Sequence, residues 1–565
     1  MKTTTYYMLL GILAMTVASS CEKKLTEYNP GSATADNVFN TPVGYESGVS
    51  AAYTYNRWLW GKEAGYHLLE AGSDLWLSGV DDPNTELTQY TTGMNPANAI
   101  IAAIWSRMYS AVNLCNALIS RVGNSGLPAA TQSIREGELR MLRAWYYFTI
   151  VQTWGGVHFS LEETTGIVTT ANRTPEADFY QQIIEDLRQA IDRLPVTTQD
   201  NGRATKPAAE AFLSKVFLIR GQYDSCYKYA DKVINGYSFD LQPVYADLWN
   251  MSNQAGKEII WSVNYTTNLT MNDFTGPAGA IVYPGGHARG ANNGHLMFLQ
   301  KYDVRNGMER SIAYGRPFSR WMPSLFLVDL FDASIDTRYN ASFQGLWISN
   351  KTSSTTYKRK LTTGAEASFT INPGDTSHYI TREVVDNGFR DSRKYEIFDR
   401  NDMYNANGTP RNNSNFLSLK KFLDPTRPSI AEQQSARDAF IFRLADIYLT
   451  AAEAKHLLGD NATAASLINE VRRRAAVPGH ESEMEISEGA VTLDFILDER
   501  ARELAGEQWR WIDLKRTGKL VERVKAHNPQ AAGNISDFHV LRPIPQLQLD
   551  AVTNKNEFIQ NEGYQ

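Results

Sequence analysis

The chain has 565 residues, 42% hydrophobic and 11% aromatic, which is ample for a large buried core. Its formal charge is -6, and its longest basic cluster is Arg472-Arg473-Arg474, so nothing points to a nucleic-acid partner. Three arginines closing a helix read as a solvated terminus that complements the helix dipole rather than as a phosphate site.

The first 20 residues differ from the rest. Lys2 supplies a thin positive start, and Tyr6 to Val17 is an apolar run of about twelve residues, which suits a signal peptide and is short for a membrane span. Ala18-Ser19-Ser20-Cys21 then resembles a bacterial lipobox, with Ala18 where leucine is usual. We expect residues 1–20 to be a lipoprotein signal peptide, Cys21 to carry the lipid (palmitate among its acyl chains), and residues 21–40 to form a polar tether. A plain secretory signal cut near Cys21 is the alternative. No later stretch approaches the roughly 18 apolar residues of a membrane helix, so the lipid would be the anchor. The two remaining cysteines, Cys115 and Cys226, lie in helical patterns and read as buried small hydrophobes; a single disulfide between them stays open.

From residue 41 the pattern is helical. Thr41 and Pro42 start a helix as N-cap and first residue. Over 98–121, Ile101, Ile104, Met108, Val112, Cys115 and Ile119 recur at spacings of three and four. Residues 134–152 repeat this, with Leu139, Leu142, Tyr146 and Ile150, and Gly155-Gly156 end the helix. Thr174-Pro175-Glu176 opens a helix toward Leu194, and Pro195 stops it. Thr205-Lys206-Pro207 opens the next, and residues 208–236 read as two helices joined at Gly221, like one tetratricopeptide-type pair. The same pattern is expected at 440–476, with Ile441, Leu444, Tyr448, Ala452 and Leu458 on one face and a turn at Gly459. A last helix runs from Thr492 to about Ala505.

Residues 237–435 are rich in Gly, Asn, Ser, Thr and Pro. The apolar runs Ile259–Val263 and Ala280–Tyr283 read as short strands, and 276–294 is a glycine-rich loop. Long irregular stretches inside compact proteins usually carry function. The expected class is therefore mostly α: helix pairs as scaffold over 41–236 and 436–525, a loop-rich ligand-facing region over 237–435 with a few short strands, and a C-terminal tail over 526–565, all within one unit spanning 41–565.

Five segments in order carry a resemblance to a known family. They are Arg140 to Phe148 with Trp154-Gly155-Gly156-Val157; Arg203 to Lys206, then Ala208 to Leu218 and Gly221-Gln222-Tyr223; Phe442 to Ala454, continuing into Ile468 to Ala475; Asp498 to Leu504, then Gly506-Glu507 and Arg510 to Arg516; and Pro543-Ile544-Pro545 with Gln560 to Tyr564. Over nearly its whole length the chain resembles the SusD/RagB family of nutrient-binding outer-membrane lipoproteins. It departs at His158 and Glu562, where the family usually has proline. The resemblance implies tetratricopeptide-like pairs under a variable ligand face. It also implies a SusC-type TonB-dependent outer-membrane barrel as partner, an outward-facing lipid-anchored position, no catalytic activity of its own and no cofactor.

The matching residues read as scaffold. Glu499, Arg500 and Glu503 share a helix face and can pair locally or with Arg510 and Arg516. An acid/base pair would need one raised carboxyl, whereas arginines within a turn keep both ionised. Lys62, Lys257 and Lys519 follow glycine without the Ser or Thr of a P-loop, no His-Glu-x-x-His occurs, and Gly123-Asn124-Ser125-Gly126 lacks the spacing of a nucleophile elbow. His287 and His295 share the glycine-rich loop without a further ligand pattern. Asp399, Asn401 and Asp402 lack the glycine and closing glutamate of an EF-hand.

A sugar offers an apolar C–H face and a rim of hydroxyls, so an exposed aromatic flanked by polar side chains is the residue type to seek. Trp58, Trp60, Trp76, Trp321 and Trp347 lie outside the helical patterns. Trp76 ranks first, between Asp74 and the Asp82–Asn84 stretch; Trp321, beside Arg320, ranks second. The expected ligand set is thus Trp76, Trp321, Trp347, Asp74, Asp82, Asn84 and Arg320, each tryptophan having the alternative of packing a loop onto helices. The functions compatible with these features are glycan capture for a transporter, the same role with peptide or glycopeptide cargo, a helical-repeat assembly scaffold, and a glycosidase.

Overall fold

A computed structural model describes residues 34–266 and 292–564. Cys21, His287, the run Ala280–Tyr283 and nearly all of the glycine-rich loop lie outside the described residues.

Helix starts follow the caps in the sequence. Thr41 accepts the Gly44 N–H at 3.2 Å and Pro42 opens α1 (Pro42–Thr54). A short helix, α2 (Thr85–Gln89), ends in Tyr90. Asn98 accepts the N–H groups of Ile100 and Ile101 and starts α3 (Ala99–Arg121), which buries Ile101, Ile104, Met108, Val112 and Cys115. Burying each such side chain contributes about 1.5–3 kcal/mol, and one aspartate at Ile104 would break the stripe. Next come α4 (Ala129–Trp154), α5 (Glu176–Arg193), α6 (Lys206–Ile219) and α7 (Tyr223–Asn235). Gly155 and Gly221 follow α4 and α6 with φ of 73° and 69°, a region that glycine enters without penalty.

Helices α3 to α7 pack in sequence, each on the next. Against α7 packs α8 (Leu444–Leu457), and against α8 packs α9 (Asn461–Ala475), so residues 237–435 are inserted into one continuous row of helices. α10 (Leu493–Leu504), α11 (Arg510–Arg516) and α12 (Leu520–His527) complete this side. The mostly helical class is what the periodicity indicated.

One element differs from expectation. Residues 440–443 are not helical. Ala439–Arg443 is a strand that pairs antiparallel with Ile259–Val263. Ala-Phe-Ile-Phe-Arg is an aromatic and β-branched run that fits a pleated surface, and a partner strand is present only in the folded chain. The helix begins at Leu444, one residue after the strand ends.

In chain order, the strands that bear on the site and its core are β1 (Trp76–Ser78), β2 (Ile259–Val263), β3 (Trp321–Pro323), β4 (Leu346–Ile348), β5 (Thr376–Ile380), β6 (Glu396–Phe398) and β7 (Ala439–Arg443). β1 pairs with β3, β2 with β7, and β4, β5 and β6 form a three-stranded sheet. A large core joins the helices, and a second one, built around Tyr66, Trp76, Phe298, Trp321 and Phe416, lies under the inserted region. Cys115 and Cys226 are buried free thiols. Among the described residues no helix is long and apolar enough to cross a membrane.

Buried ion pairs tie the insertion to the helices. Arg338 contacts Asp336, Glu499 and Glu503; Arg443 contacts Glu258, Glu503 and Glu507. Burial alone would raise the Glu499 and Glu503 carboxyls, but the arginines around them reverse that and hold both far below the usual carboxylate range. The cluster Arg472-Arg473-Arg474 is not a solvated terminus. Arg472 pairs with Glu499, and Arg474 pairs with Glu258 and Glu503, both inside the protein; only Arg473 stays at the surface, with Glu470 and Glu485. Helix α9 runs against acidic groups of other elements, which sequence neighbours do not reveal.

Candidate functional site

Trp76 and Trp321 fall on neighbouring strands. β1 and β3 run antiparallel, with Ser78 opposite Trp321 and Trp76 opposite Pro323. The pairing places five of the expected ligand residues, Trp76, Asp82, Asn84, Arg320 and Trp321, around one two-stranded element.

The rings face inward. Trp76 and Trp321 both have 0% relative exposure. Trp76 packs on Phe298 at 4.5 Å between ring centres and donates its Nε1–H to Glu70 at 2.9 Å. Trp321 packs against Phe298, His67 and Tyr66. Trp58 and Trp60 are buried as well. Trp347, at 1%, is stacked between Tyr302 and His378 under the β4–β5 pair, away from the β1–β3 element. The expectation of exposed sugar platforms at Trp76, Trp321 and Trp347 is therefore corrected. Each of the short strands β1, β3 and β4 turns its tryptophan into a core, and in β1 and β3 Leu77 and Met322 are buried beside it.

The polar residues are mostly committed too. Asp74 is fully buried and bridges Arg510 on α11 and Arg523 on α12 at 2.7 and 3.0 Å. Burial alone would raise its pKa, but those two arginines lower it overall. Asp82 accepts from the Ser78 and Thr88 hydroxyls and from the Asn84 N–H, and pairs with His67 at 3.1 Å. Its oxygens are saturated, and they hold the turn after β1. Asn84 stands at the start of α2, and its Nδ2 is buried without a hydrogen-bond partner among the described residues. Arg320 donates Nε to Glu63 at 2.7 Å and Nη1 to the Asp81 carbonyl, and its guanidinium lies 4.9 Å from the Phe318 ring centre.

The part that reaches solvent is a ledge above these strands, exposed at Val80 and half-buried elsewhere. It consists of Val80 and Asp81 after β1, Arg316, Phe318 and Arg320 before β3, and Lys301, which pairs with Asp81. The two segments are locked together: the Gly79 N–H donates to the Arg320 carbonyl at 2.7 Å and the Asp81 N–H to the Ser319 carbonyl at 3.2 Å. Ser319 holds a φ of 49°, a left-handed conformation that costs a non-glycine residue energy and that tends to persist where surroundings enforce it. Gly79 permits the close approach of the two segments: a β-carbon there would lie 2.2 Å from the Ser319 carbonyl oxygen. Lys301, Arg316 and Phe318 were not among the residues the sequence singled out, since only strand pairing and tertiary packing bring them beside Asp81.

Among the described residues no three His, Cys, Asp or Glu side chains converge as metal ligands. Asp399 and Asp402 instead form a capping box on a short helix and pair with Arg390.

Known proteins give the family. The SusD family model matches residues 257–564, and a model described as "Starch-binding associating with outer membrane" matches residues 78–218. SusD-like protein P25 of Formosa agariphila is 25% identical over 496 residues, covering 85% of this chain and 83% of the relative. Starch-binding protein SusD of Bacteroides thetaiotaomicron is 22% identical over 467 residues, covering 78% and 74%. Among solved structures, a laminarin-binding SusD-like protein superposes with a TM-score of 0.68 at 22% identity, over 92% of this chain and 99% of the other. Surface glycan-binding protein A of Bacteroides thetaiotaomicron, in complex with laminarihexaose, superposes with a TM-score of 0.65 at 19% identity, over the same shares. Because the SusD family model alone spans more than half of the sequence, including the strand β7, helices α8 to α12 and the terminal tail, this chain belongs to the SusD family.

Proposed function

We propose that this protein is a surface glycan-binding lipoprotein that serves nutrient uptake. It captures an oligo- or polysaccharide and hands it to a SusC-type TonB-dependent outer-membrane transporter. Cys21 carries the lipid, and the ligand face points away from the cell. Family membership supports this reading, as does the likeness in fold to proteins named for binding laminarin and laminarihexaose.

The ledge is the ligand-facing element. The observation that carries this assignment is Phe318, a half-buried ring flanked by Arg316 and Arg320 and adjoining the Asp81–Lys301 pair. A ring with cationic and carboxylate neighbours offers a sugar an apolar face and a hydroxyl-binding rim on one preformed surface. Asp82 and Asn84 position the ledge, and Trp76 and Trp321 support it from below. Binding is stacking plus hydrogen bonds, without bond chemistry: Glu499 and Glu503, the pair an acid/base reading needs, are buried among arginines.

Isothermal titration with laminarihexaose, maltohexaose, cellohexaose and xylohexaose tests this. At least one binds, no reducing ends are released, and Asp81→Ala/Phe318→Ala weakens binding tenfold or more. Peptide cargo is the second reading, favoured by the charges at Arg316, Arg320 and Asp81. Tight binding of charged oligopeptides, with none of the sugars, would select it.

A further inference from the structure

A separate groove of about 850 Å³ lies between the turn 90–97 and the C-terminal segments around Asn534, Gln546 and Tyr564. That volume is within the range of small-ligand sites. The groove is preformed. Its walls are joined by the Gln546 N–H, which donates to the Pro96 carbonyl at 2.9 Å, and by the Asn534 amide, which donates to the Gln89 carbonyl at 2.9 Å. Tyr90 is held in a left-handed conformation, φ 56°; its hydroxyl donates to the Gly72 carbonyl and accepts the Trp511 Nε1–H at 3.2 Å. The floor is aromatic: Phe538 and Tyr564 meet edge to face at 5.0 Å. Gly563 lies so close to Phe538 that a β-carbon would fall 2.3 Å from the ring.

The rim is polar and uncharged. Thr91, Thr92, Asn95, Asn534 and Gln546 supply hydroxyls and carboxamides. Asn534 and Gln546 each use an amide N–H within the protein, on Gln89 and Asp550, which leaves their amide oxygens to accept from a ligand. No Asp, Glu, Lys or Arg lines the groove, although charged residues make up 21% of the chain. His539 also lines it; burial and then Arg542 push its pKa down to about 4, and its Nδ1 accepts the Ser536 N–H, so the ring is neutral near pH 7. Arg542 itself is fully buried behind Met94 and Tyr90, with Nη1 3.0 Å from the Met94 sulfur, out of a ligand's reach.

We infer that this groove is a second carbohydrate site, distinct from the ledge and selective for uncharged oligosaccharides. Carboxamides and hydroxyls match sugar hydroxyls in both donor and acceptor roles. A carboxylated or sulfated sugar would lose hydration there without gaining a cation. The rigid walls keep the ordering cost of binding low. The inference rests on the reading that the chain binds glycans, but not on the ledge being the place.

The test is titration of the full-length protein, in detergent, with the four neutral hexasaccharides and with trigalacturonate. Backgrounds are wild type, the ledge variant Asp81→Ala/Phe318→Ala, and each of these with Asn534→Ala/Gln546→Ala or with Thr92→Trp, which fills the groove from an exposed position. The expected result is a neutral-sugar binding event that survives in the ledge variant and weakens tenfold or more with either groove change, while trigalacturonate shows none. Three results overturn it: the ledge variant loses all binding that wild type shows; the groove changes leave every event unaltered; or trigalacturonate binds there as tightly as a neutral sugar. The first of these leaves the glycan reading standing, whereas a wild type that binds no hexasaccharide removes both.

Discussion

The Glu503 carboxylate lies 2.6 Å from the Arg443 guanidinium, and neither side chain reaches solvent. Arg338 and Arg474 approach the same carboxylate. These four residues come from α10, the end of β7, the inserted region and α9, so one buried charge holds four parts of the chain in register. Such a cluster sets geometry more than it adds net stability, because each ion loses its hydration on burial.

Removing that one charge leaves three arginines short of a partner. Glu503→Gln is expected to cost about 3–5 kcal/mol, the usual scale for breaking a buried pair from one side. Chemical denaturation measures it. A midpoint unchanged from wild type would show that the arginines are satisfied without Glu503.

Trp76 supports the ledge from inside the core. Trp76→Ala is expected to lose about 3–5 kcal/mol through the cavity it leaves. It also strips Glu70 of the indole N–H donor. Differential scanning calorimetry should show a clear drop in Tm. A soluble variant with a wild-type Tm would mean that the ring is not a core residue.

Gly79→Ala probes the locked turn. The added methyl meets the Ser319 carbonyl oxygen, a backbone atom that cannot swing aside. The β1–β3 pair must spread, at a cost of about 1–3 kcal/mol. Tm and hexasaccharide affinity should fall together; a drop in neither contradicts the close approach.

Glu70 gives a pH signature. Burial pushes its pKa up from 4.5 to about 7, against the opposing hydrogen bonds from Trp76 and the Gly506 and Arg510 N–H groups. The folded state therefore favours the protonated acid. Its contribution to stability is present below pH 4.5 and is lost as pH rises through 7, by up to about 3 kcal/mol. Unfolding free energies of wild type and Glu70→Gln, compared from pH 4.5 to 8, should diverge in the variant's favour as pH rises. Parallel curves would refute the raised pKa.

Much of the scaffold was legible because its signals are local. Thr41-Pro42, Asn98, Thr205 and Thr492 cap the helices they precede. The three-and-four spacing of Ile101, Ile104, Met108 and Val112 marked the face that is buried. Ion pairing of Glu499 and Glu503 was legible, but not its partners: the expected Arg510 and Arg516 bond Asp74 and Glu453 instead, while Arg338 and Arg443 reach Glu499 and Glu503 from 161 and 60 residues away.

The candidate site was legible only as a region. A tryptophan in a short polar stretch has the same local sequence whether its ring meets solvent or a core. Which of the two holds depends on the strand opposite and the ring beneath. For Trp76 those are β3 and Phe298, more than 200 residues further along the chain.

By itself the sequence determined most of the helices, the inserted loop-rich region and the family, because capping, periodicity and short motifs act over a few residues. The tertiary structure alone decided that Ile441 joins a strand, that the five tryptophans turn inward, and that Phe318, Arg320, Asp81 and Lys301 form one surface. Those outcomes follow from strand pairing and burial between distant segments, whose energies exist only once the chain has closed on itself.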